Sequence, residues 1–443
     1  IDWGYAEFGR SDLAKLEYAM EWIEKEYLEP VDRAKLVDGA IEGMLRSLGD
    51  PYTAYLNQKQ AQAMQESLNA SFEGIGATME LVDGKIVVVA PIKGSPAEAA
   101  GIRPGDQIVS VDGHSLAGKS LEEAAELIRG RKGTTAELTI LRDGREIGLK
   151  IVRDTIPVQT VYAEMKEDGV GVVRIATFAE TTPSSFEEEV KRLLGEGMRG
   201  LVIDLRQNPG GLYTAAERIA NMLIPDGRPI VQFRERGKEP EVTVSRYRDI
   251  GLTGIPMAAV VDGGSASAAE IIAGALQQSA GVPLVGETTF GKGTAQLTRP
   301  FRDGSSMRYT IAEWLAPDGS SIQGKGFSPD VPVSLPEYAK VPYFSDEKVL
   351  KENDFSEEIR SAQVMLAALG HDPGRRDGFF DAATAEAVRS YQKAKGLEAT
   401  GVLTGETTRA LFRDIRELLA AEDTQLRKAV EIVRAQIGSS TGE

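Results

Sequence analysis

Met257-Ala258-Ala259-Val260-Val261-Asp262-Gly263-Gly264-Ser265-Ala266-Ser267-Ala268-Ala269-Glu270 is the stretch on which the fold turns. Its first five residues are all apolar, which suits a strand in the buried middle of a sheet. The two glycines break that strand. From Ser267 to Gln278 the chain becomes rich in Ala, Ile and Leu, and reads as an apolar helix opened by a serine. Strand, glycine turn and helix in this order are one half of a βαβ unit.

The same alternation surrounds it. Val170 to Phe178 and Leu201 to Leu205 read as strands, Ser185 to Leu194 and Thr214 to Leu223 as helices, so about Thr160 to Pro336 forms an α/β region around a largely buried sheet. Upstream, Leu13, Leu16, Met20, Ile23 and Tyr27 follow a Ser11 cap at helical spacing. A second helix carries Leu36, Ala40, Ile41, Met44, Leu45 and Leu48 after Asp32, and Gly49-Asp50-Pro51 stops it. Phe72 to about Asp154 is a small, mostly β module, with strands at Ile86 to Ala90, near Gln107 to Val109 and at Ala136 to Leu141, and one short helix at Leu121 to Ile128. Past a linker at Leu335 to Tyr343, Asp377-Gly378-Phe379-Phe380-Asp381 recurs 23 residues on as Thr400-Gly401-Val402-Leu403-Thr404, a pair of turn-helix units. The last helix bears Leu426, Val430, Val433 and Ile437 on one stripe that must be covered. The expected class is multidomain α+β, divided into a helical region at 1–70, a β module at 71–155, the α/β core at 156–345, a helical repeat at 346–415 and a C-terminal helix at 416–443.

Composition narrows the function. The 443 residues are too many for one core, and a net charge of −16 disfavours a phosphate-binding, nucleic-acid surface. A peptide or protein partner is expected instead. No run approaches the roughly 18 apolar residues of a membrane span. Ile1-Asp2-Trp3-Gly4 lacks a signal peptide's basic and apolar regions, so the chain reads as soluble and trimmed from a longer precursor. Zero cysteines exclude disulfides, a thiol nucleophile and thiolate metal ligands.

Only two histidines occur, His114 and His371, both outside the α/β region, so a Ser-His-Asp triad is not expected. A lysine serves as a base when burial lowers its pKa. Ser267, at a helix N-terminus, has the unpaired N–H groups that an oxyanion needs, with Ala268 N–H the nearest; the plainer reading is that Ser267 and Glu270 form a capping box. Gly286-Glu287-Thr288-Thr289-Phe290-Gly291-Lys292-Gly293-Thr294-Ala295-Gln296 supplies the lysine, and in extended chain Lys292, Thr294 and Gln296 share a face. The segment nearly spells a P-loop, but Gly293 stands where Mg²⁺ needs a hydroxyl. Leu201 to Leu205 run on into Arg206-Gln207-Asn208-Pro209-Gly210-Gly211, where a Gly211 N–H can be a second oxyanion donor.

Together these three segments, in this order and with 25 residues from Ser267 to Lys292, resemble the carboxy-terminal processing proteases. The resemblance runs from about Ser47 to Pro336 and opens with Leu48-Gly49-Asp50-Pro51-Tyr52-Thr53. It implies a crotonase/Clp-like serine protease core, with Ser267 the nucleophile, Lys292 the general base, Gln296 the lysine's orienting partner, Gly211 and Ala268 the oxyanion donors, and neither metal nor cofactor. Ala269 departs from the third serine of many members.

The β module resembles a bacterial PDZ domain through Gly74-Ile75-Gly76-Ala77, Gly94-Ser95-Pro96-Ala97, Gly101-Ile102-Arg103-Pro104-Gly105-Asp106 and Val111-Asp112-Gly113. That implies capture of protein C-terminal tails, with small or apolar ends, by the Gly74 to Ala77 loop. It also implies gating of the active site, for which Arg129 or Arg131 is the regulatory candidate. The helical repeat resembles a peptidoglycan-binding fold through Gln363, Asp377-Gly378, Phe380, Thr384, Val388, Gln392 and Gly401-Val402-Leu403, which makes cell-wall glycan an expected partner. The apolar stripes at Leu13 to Leu48 and Leu426 to Ile437 suggest a homodimer, and the family suggests an extracytoplasmic, secreted or envelope-associated location. The competing function is a catalytically silent scaffold built from the PDZ and wall-binding modules.

Overall fold

The computed structural model describes residues 12–440, so the Ser11 cap and the first four residues lie outside the described residues. The chain begins with α1 (Asp12–Glu26), α2 (Arg33–Arg46), β1 (Ala54–Leu56) and α3 (Gln58–Asn69). Asp32 caps α2, its side chain accepting from Ala34 N–H. The third helix was not expected. Few apolar residues mark it, but Asn57 and Gln60 form a reciprocal capping box that starts it.

The β module follows with β2 (Ser71–Gly74), β3 (Ala77–Val82), β4 (Lys85–Pro91), α4 (Pro96–Ala99), β5 (Gln107–Val111), β6 (His114–Ser115), α5 (Leu121–Ile128), β7 (Thr135–Arg142), β8 (Arg145–Val152) and β9 (Asp154–Pro157). Ile86, Val88, Ile108, Leu138 and Ile140 alternate inward and close its own core.

The α/β region contributes β10 (Val161–Met165), β11 (Val170–Ile175), α6 (Thr182–Gly195), β12 (Gly200–Asp204), α7 (Tyr213–Leu223), β13 (Pro229–Glu235), β14 (Glu241–Val244), β15 (Met257–Val261), α8 (Ala268–Ala280), β16 (Leu284–Gly286), β17 (Thr294–Pro300), β18 (Ser306–Leu315) and β19 (Val331–Pro332). Its central sheet runs β10-β11-β12-β15-β16-β19, parallel except for the β10–β11 pair. A second sheet, β1-β18-β13-β14 with β17 also on β18, stands beside it. These last strands were not read from the sequence. β17 pairs only with β18, so its other edge is open.

Both faces of the central sheet are buried, which is why its strands are apolar throughout. On one face Leu201 and Ile203 pack with Phe186, Ile219 and Ile272 of α6, α7 and α8. The chain ends with the helical repeat α9 (Glu357–Ala368), α10 (Ala382–Ala394) and α11 (Gly405–Ala421), then α12 (Thr424–Ser440). That last helix covers the sheet's other face, where Val430, Val433 and Ile437 meet Val170, Val172, Val202, Val260 and Val285. The fit is close enough that a Cβ on Gly200 would lie 2.3 Å from Val433 Cγ1. The C-terminal stripe is therefore spent within its own chain, a correction to the expectation that it seeks a second subunit. The stripe of α1 and α2 is not so spent, with Leu13 72%, Leu16 43% and Met44 54% exposed.

Candidate active site

Three loops leave the carboxyl ends of the neighbouring parallel strands β12, β15 and β16, the edge at which α/β sheets carry their ligands. They meet at a cleft of about 460 Å³ lined by Gly211, Ser267, Ala268, Lys292 and Gln296, with Leu212, Tyr213, Phe233, Ile271 and Trp314 as its apolar wall and Met64, Ser67 and Leu68 of α3 across from them. Neither histidine lines it.

Ser267 sits in the turn between β15 and α8 with φ 55° and ψ −118°, a conformation costing about 1–3 kcal/mol for a residue with a side chain. The turn is over-determined by its neighbours. Ala266 N–H donates to the Asn208 carbonyl at 2.9 Å, and the Ser265 hydroxyl donates to the Leu205 carbonyl at 2.8 Å. Buried Asn208 also donates to the Ile175 carbonyl at 2.8 Å and accepts from Gly210 N–H at 2.8 Å, so the glycine turn and the serine turn share one anchor. A Cβ on Gly210 would lie 2.8 Å from Ser267 Cβ, and one on Gly211, at φ 135°, would lie 2.1 Å from the Phe178 carbonyl oxygen. Glycine is required at both positions. The N–H groups of Gly211 and Ala268 find no acceptor among the described residues and border the cleft beside Ser267.

Glu270 joins the serine turn to the lysine loop. Its carboxylate is fully buried and accepts four hydrogen bonds: from Ser267 N–H (2.9 Å) and Lys292 N–H (2.9 Å) on Oε2, and from Gly291 N–H (2.6 Å) and the Thr289 hydroxyl (2.6 Å) on Oε1. The capping box of the sequence reading is thus half of a larger bridge.

Burial holds the Lys292 amine below its ordinary value; the Arg308 charge pushes the same way, while the carboxylates of Asp50 and Glu270 push back. The amine lies 4.9 Å from the centre of the Tyr52 ring. Beside it, burial alone would raise the Asp50 carboxyl, but the Thr310 and Thr53 hydroxyls (2.6 and 2.7 Å), Tyr52 N–H and the nearby Lys292 outweigh that and lower it. Gln296 donates to the hydroxyls of Thr294 (2.9 Å) and Thr310 (3.1 Å), and its side-chain oxygen accepts nothing among the described residues. Ser267 and Lys292 share the cleft, but no hydrogen bond joins them or links Gln296 to Lys292 among the described residues.

Chemically, the cleft offers a hydroxyl on a strained turn, two N–H donors free among the described residues and an amine partly withdrawn from water. A model of peptidase family S41 matches residues 169–333, a PDZ domain model 87–142, a putative peptidoglycan binding domain model 355–411, and the N-terminal domain of activating protease CtpB 5–60. The chain is 44% identical over 433 residues to carboxy-terminal processing protease CtpA of Bacillus subtilis (strain 168), spanning 98% of this chain and 92% of that one. It is 39% identical over 424 residues to CtpB of the same organism, with 94% and 88% covered. A probable CtpA-like serine protease of Staphylococcus aureus (strain COL) is 36% identical over 433 residues, with 97% and 87% covered. The chain belongs to the carboxy-terminal processing protease family.

It is accordingly a serine-type peptidase of family S41, with a helical N-terminal region, a PDZ domain and a C-terminal peptidoglycan-binding fold. In its PDZ domain, the Gly74-Ile75-Gly76-Ala77 segment joins β2 to β3. Ile75 is buried, and the N–H groups of Ile75 and Gly76 have no acceptor among the described residues. Arg129 lies over the Phe72 ring at 4.8 Å and 3.7 Å from Glu66 of α3, so the PDZ domain touches the helix that walls the cleft. A Lys59–Glu126 ion pair makes a second tie between α3 and α5. Among the described residues Arg131 bonds only through its carbonyl, which accepts from Thr134.

Asp50, Thr310, Arg308 and Thr289 were not singled out by sequence reasoning. Asp50 stood in a quoted motif without a role, and nothing local links it to Thr310, 260 positions away. For Glu270 the local signal pointed to a cap alone. Replacing Glu270 by Gln sets an NH₂ group against two donors whichever way the amide turns, so Glu270→Gln should lose about 2–4 kcal/mol of unfolding stability and at least ~100-fold in peptide cleavage. Urea unfolding and cleavage kinetics check this, and wild-type values in both would show that the bridge holds nothing in place.

Proposed function

We propose that this protease hydrolyses internal peptide bonds of proteins chosen by their C-terminal tails, with Ser267 as nucleophile and Lys292 as general base. The observation that carries it is the cleft itself, in which a strained serine, a desolvated lysine and two free N–H groups converge. The neutral Lys292 amine takes the Ser267 proton as Oγ bonds to the scissile carbonyl carbon. The resulting oxyanion accepts from Gly211 N–H and Ala268 N–H. As the C–N bond breaks, Lys292 returns the proton to the leaving amine, then deprotonates the water that hydrolyses the acyl-enzyme. The free Gln296 oxygen receives the Lys292 amine when it turns toward Ser267. That closure accompanies substrate binding, since catalytic contacts are commonly long in an empty site.

An extended substrate fits the surroundings. The cleft continues, past shared residues Met64, Leu68 and Thr298, into a groove beside β17 that ends at Ser306. Trp314 Nε1 and the Ser306 hydroxyl, one lining each part, are buried without hydrogen-bond partners. The edge of β17 that is unpaired among the described residues suits a chain laid down as one more strand. Tail recognition rests on the free Ile75 and Gly76 N–H groups, and its signal passes through Arg129 to α3. The wall-binding fold and the envelope context of such a module favour an extracytoplasmic, secreted enzyme with cell-wall glycan as a partner.

The direct test is cleavage of an unfolded protein with an apolar C-terminus. Ser267→Ala and Lys292→Ala should each abolish it, a chelator should leave it unchanged, and amidating the substrate's C-terminus should slow it. Cleavage that survives both substitutions, or that only a chelator stops, overturns the Ser267–Lys292 mechanism, and a wild type that cleaves nothing leaves the silent scaffold as the better reading.

The pH profile gives a second test. Protonated Lys292 cannot accept a proton, so kcat/KM should rise with pH through a lysine pKa that lies below 10.5. Arg308→Met removes a charge that lowers it and should move the rising limb to higher pH, whereas Asp50→Asn should move it lower. A limb indifferent to both would assign the titration to another group.

The exposed stripe of α1 and α2 is the surface on which a second copy of the chain would pair. Light scattering should give the mass of two chains; the mass of one would dismiss the homodimer.

A further inference from the structure

The C-terminal helix does more than cover the sheet. α11 ends at Ala421 and α12 starts at Thr424, so two residues, Glu422 and Asp423, join the last helix of the wall-binding fold to the helix that covers the core. Asp423 caps α12 by accepting from Leu426 N–H at 2.9 Å. The same carboxylate receives both ends of the Arg206 guanidinium, at 2.8 Å on Oδ1 and 2.7 Å on Oδ2. Arg206 in turn grips Asp204 with Nε and Nη2 at 2.9 and 2.7 Å, while its own N–H donates to Asp204 Oδ1 at 3.0 Å. Side-chain exposure across this cluster is 7% for Asp204, 13% for Arg206 and 21% for Asp423.

This cluster stands at the root of the turn that carries Gly211. Asp204 is the last residue of β12, and Gln207, next after Arg206, holds φ 55° with two hydrogen bonds to Asp262, 3.0 Å from N–H and 2.8 Å from the side-chain amide. Asn208, Gly210 and Gly211 follow, Asn208 bonded to Ala266 N–H, Gly210 against Ser267 and Ala268, and Gly211 against Phe178. A shielded pair of carboxylates around one guanidinium adds little net stability once desolvation is counted. What it supplies is a fixed backbone, and an oxyanion donor displaced by a fraction of an ångström loses much of its effect.

We propose that Asp423 is a positioning residue for the oxyanion turn, acting through Arg206 and Asp204 from the joint between the wall-binding fold and the core. This rests on the reading of Gly211 as an oxyanion donor. Asp423 touches no substrate; it sets where the Gly211 N–H points. One link from the C-terminal fold to the oxyanion turn therefore runs through this carboxylate, beside the bond from Arg206 to Gln425 Oε1 at 3.2 Å.

The test compares Asp423→Asn, which keeps shape and loses charge, with Val433→Ala, which weakens the same helix away from the cluster. Asp423→Asn should lower kcat about tenfold with KM within about twofold, since a misplaced donor acts in the transition state. A peptide aldehyde provides the sharper readout. Ser267 Oγ bonds to its carbonyl carbon, the hydroxyl proton passes to Lys292, and the former aldehyde oxygen becomes an oxyanion. Its affinity should fall about tenfold while that of the uncleaved peptide for the Ser267→Ala form stays level. Asp423→Glu should recover most of the loss. Should Asp423→Asn not fold, Arg206→Lys, which gives up the two-pronged grip, must show the same split between kcat and KM. Wild-type kcat in whichever of the two folds, or an equal kcat loss in Val433→Ala at the same drop in Tm, overturns the proposal. Inactivity of the wild type or activity of Ser267→Ala would instead overturn the protease mechanism, so the two failures are distinct.

Discussion

One buried carboxylate governs the geometry of this site. Moving Glu270 out of water costs several kcal/mol, and four donors must converge to offset it, each charge-assisted bond contributing about 1.5–3 kcal/mol. Those donors come from two places, the serine turn and the lysine loop. Neither segment can shift alone without leaving a donor or the carboxylate unmet. Ser267 and Lys292 are thus referred to a common point although 25 residues separate them. The same constraint absorbs the strain at Ser267, because its N–H is one of the four.

The rest of the fold supplies what Glu270 cannot. A parallel sheet buried on both faces fixes the spacing of β12, β15 and β16, and hence of the three loops. Without α12 one face of that sheet would be bare, with Val170, Val172, Val202 and Val260 in water; at about 1.5–3 kcal/mol for each buried valine, that cover is a large part of the net stability. The second sheet does a different job. β18 carries Arg308, Thr310 and Trp314 to the cleft, and the segment from Asp50 to Leu56 lies along it, so two of the charges that tune Lys292, Arg308 and Asp50, arrive on one strand and its neighbour.

What was legible in the sequence is local. β15 and the helix after Ser267 stand out because one is uniformly apolar and the other follows a glycine break, and the helix at Leu121 to Ile128 has its bounds as read. The catalytic candidates could be named because each sits in a short motif. Long-range relations were invisible. The Val430-Val433-Ile437 stripe was recognised as needing cover, yet no pattern says that the cover is Val202 and Val260 of the same chain. α3 escaped because its cleft-facing residues Met64 and Leu68 are sparse among glutamines, though Asn57 and Gln60 carried a usable capping signal. β17 and β18 escaped because both are half wet and β17 closes on Pro300, which reads as a breaker.

The two walls of the cleft are held by unlike forces. On the catalytic side, buried hydrogen bonds to Glu270, Asn208 and Asp262 leave no loose element, and opening it means stripping groups that have no water to turn to. On the α3 side the helix is pinned at its C-terminal end by two backbone bonds, Glu180 N–H to the Leu68 carbonyl at 2.9 Å and Val158 N–H to the Ala70 carbonyl at 2.7 Å. Its start follows directly on β1, which pairs with β18, and Gln58 donates to the Asp303 carbonyl; exposed ion pairs from Lys59 and Glu66 to the PDZ domain add about 0–1 kcal/mol each. Any change in cleft width is therefore cheapest on the α3 side. A shift of that wall moves Met64 while leaving Ser267, Ala268 and Gly211 in register, so access to the cleft can vary without disturbing them.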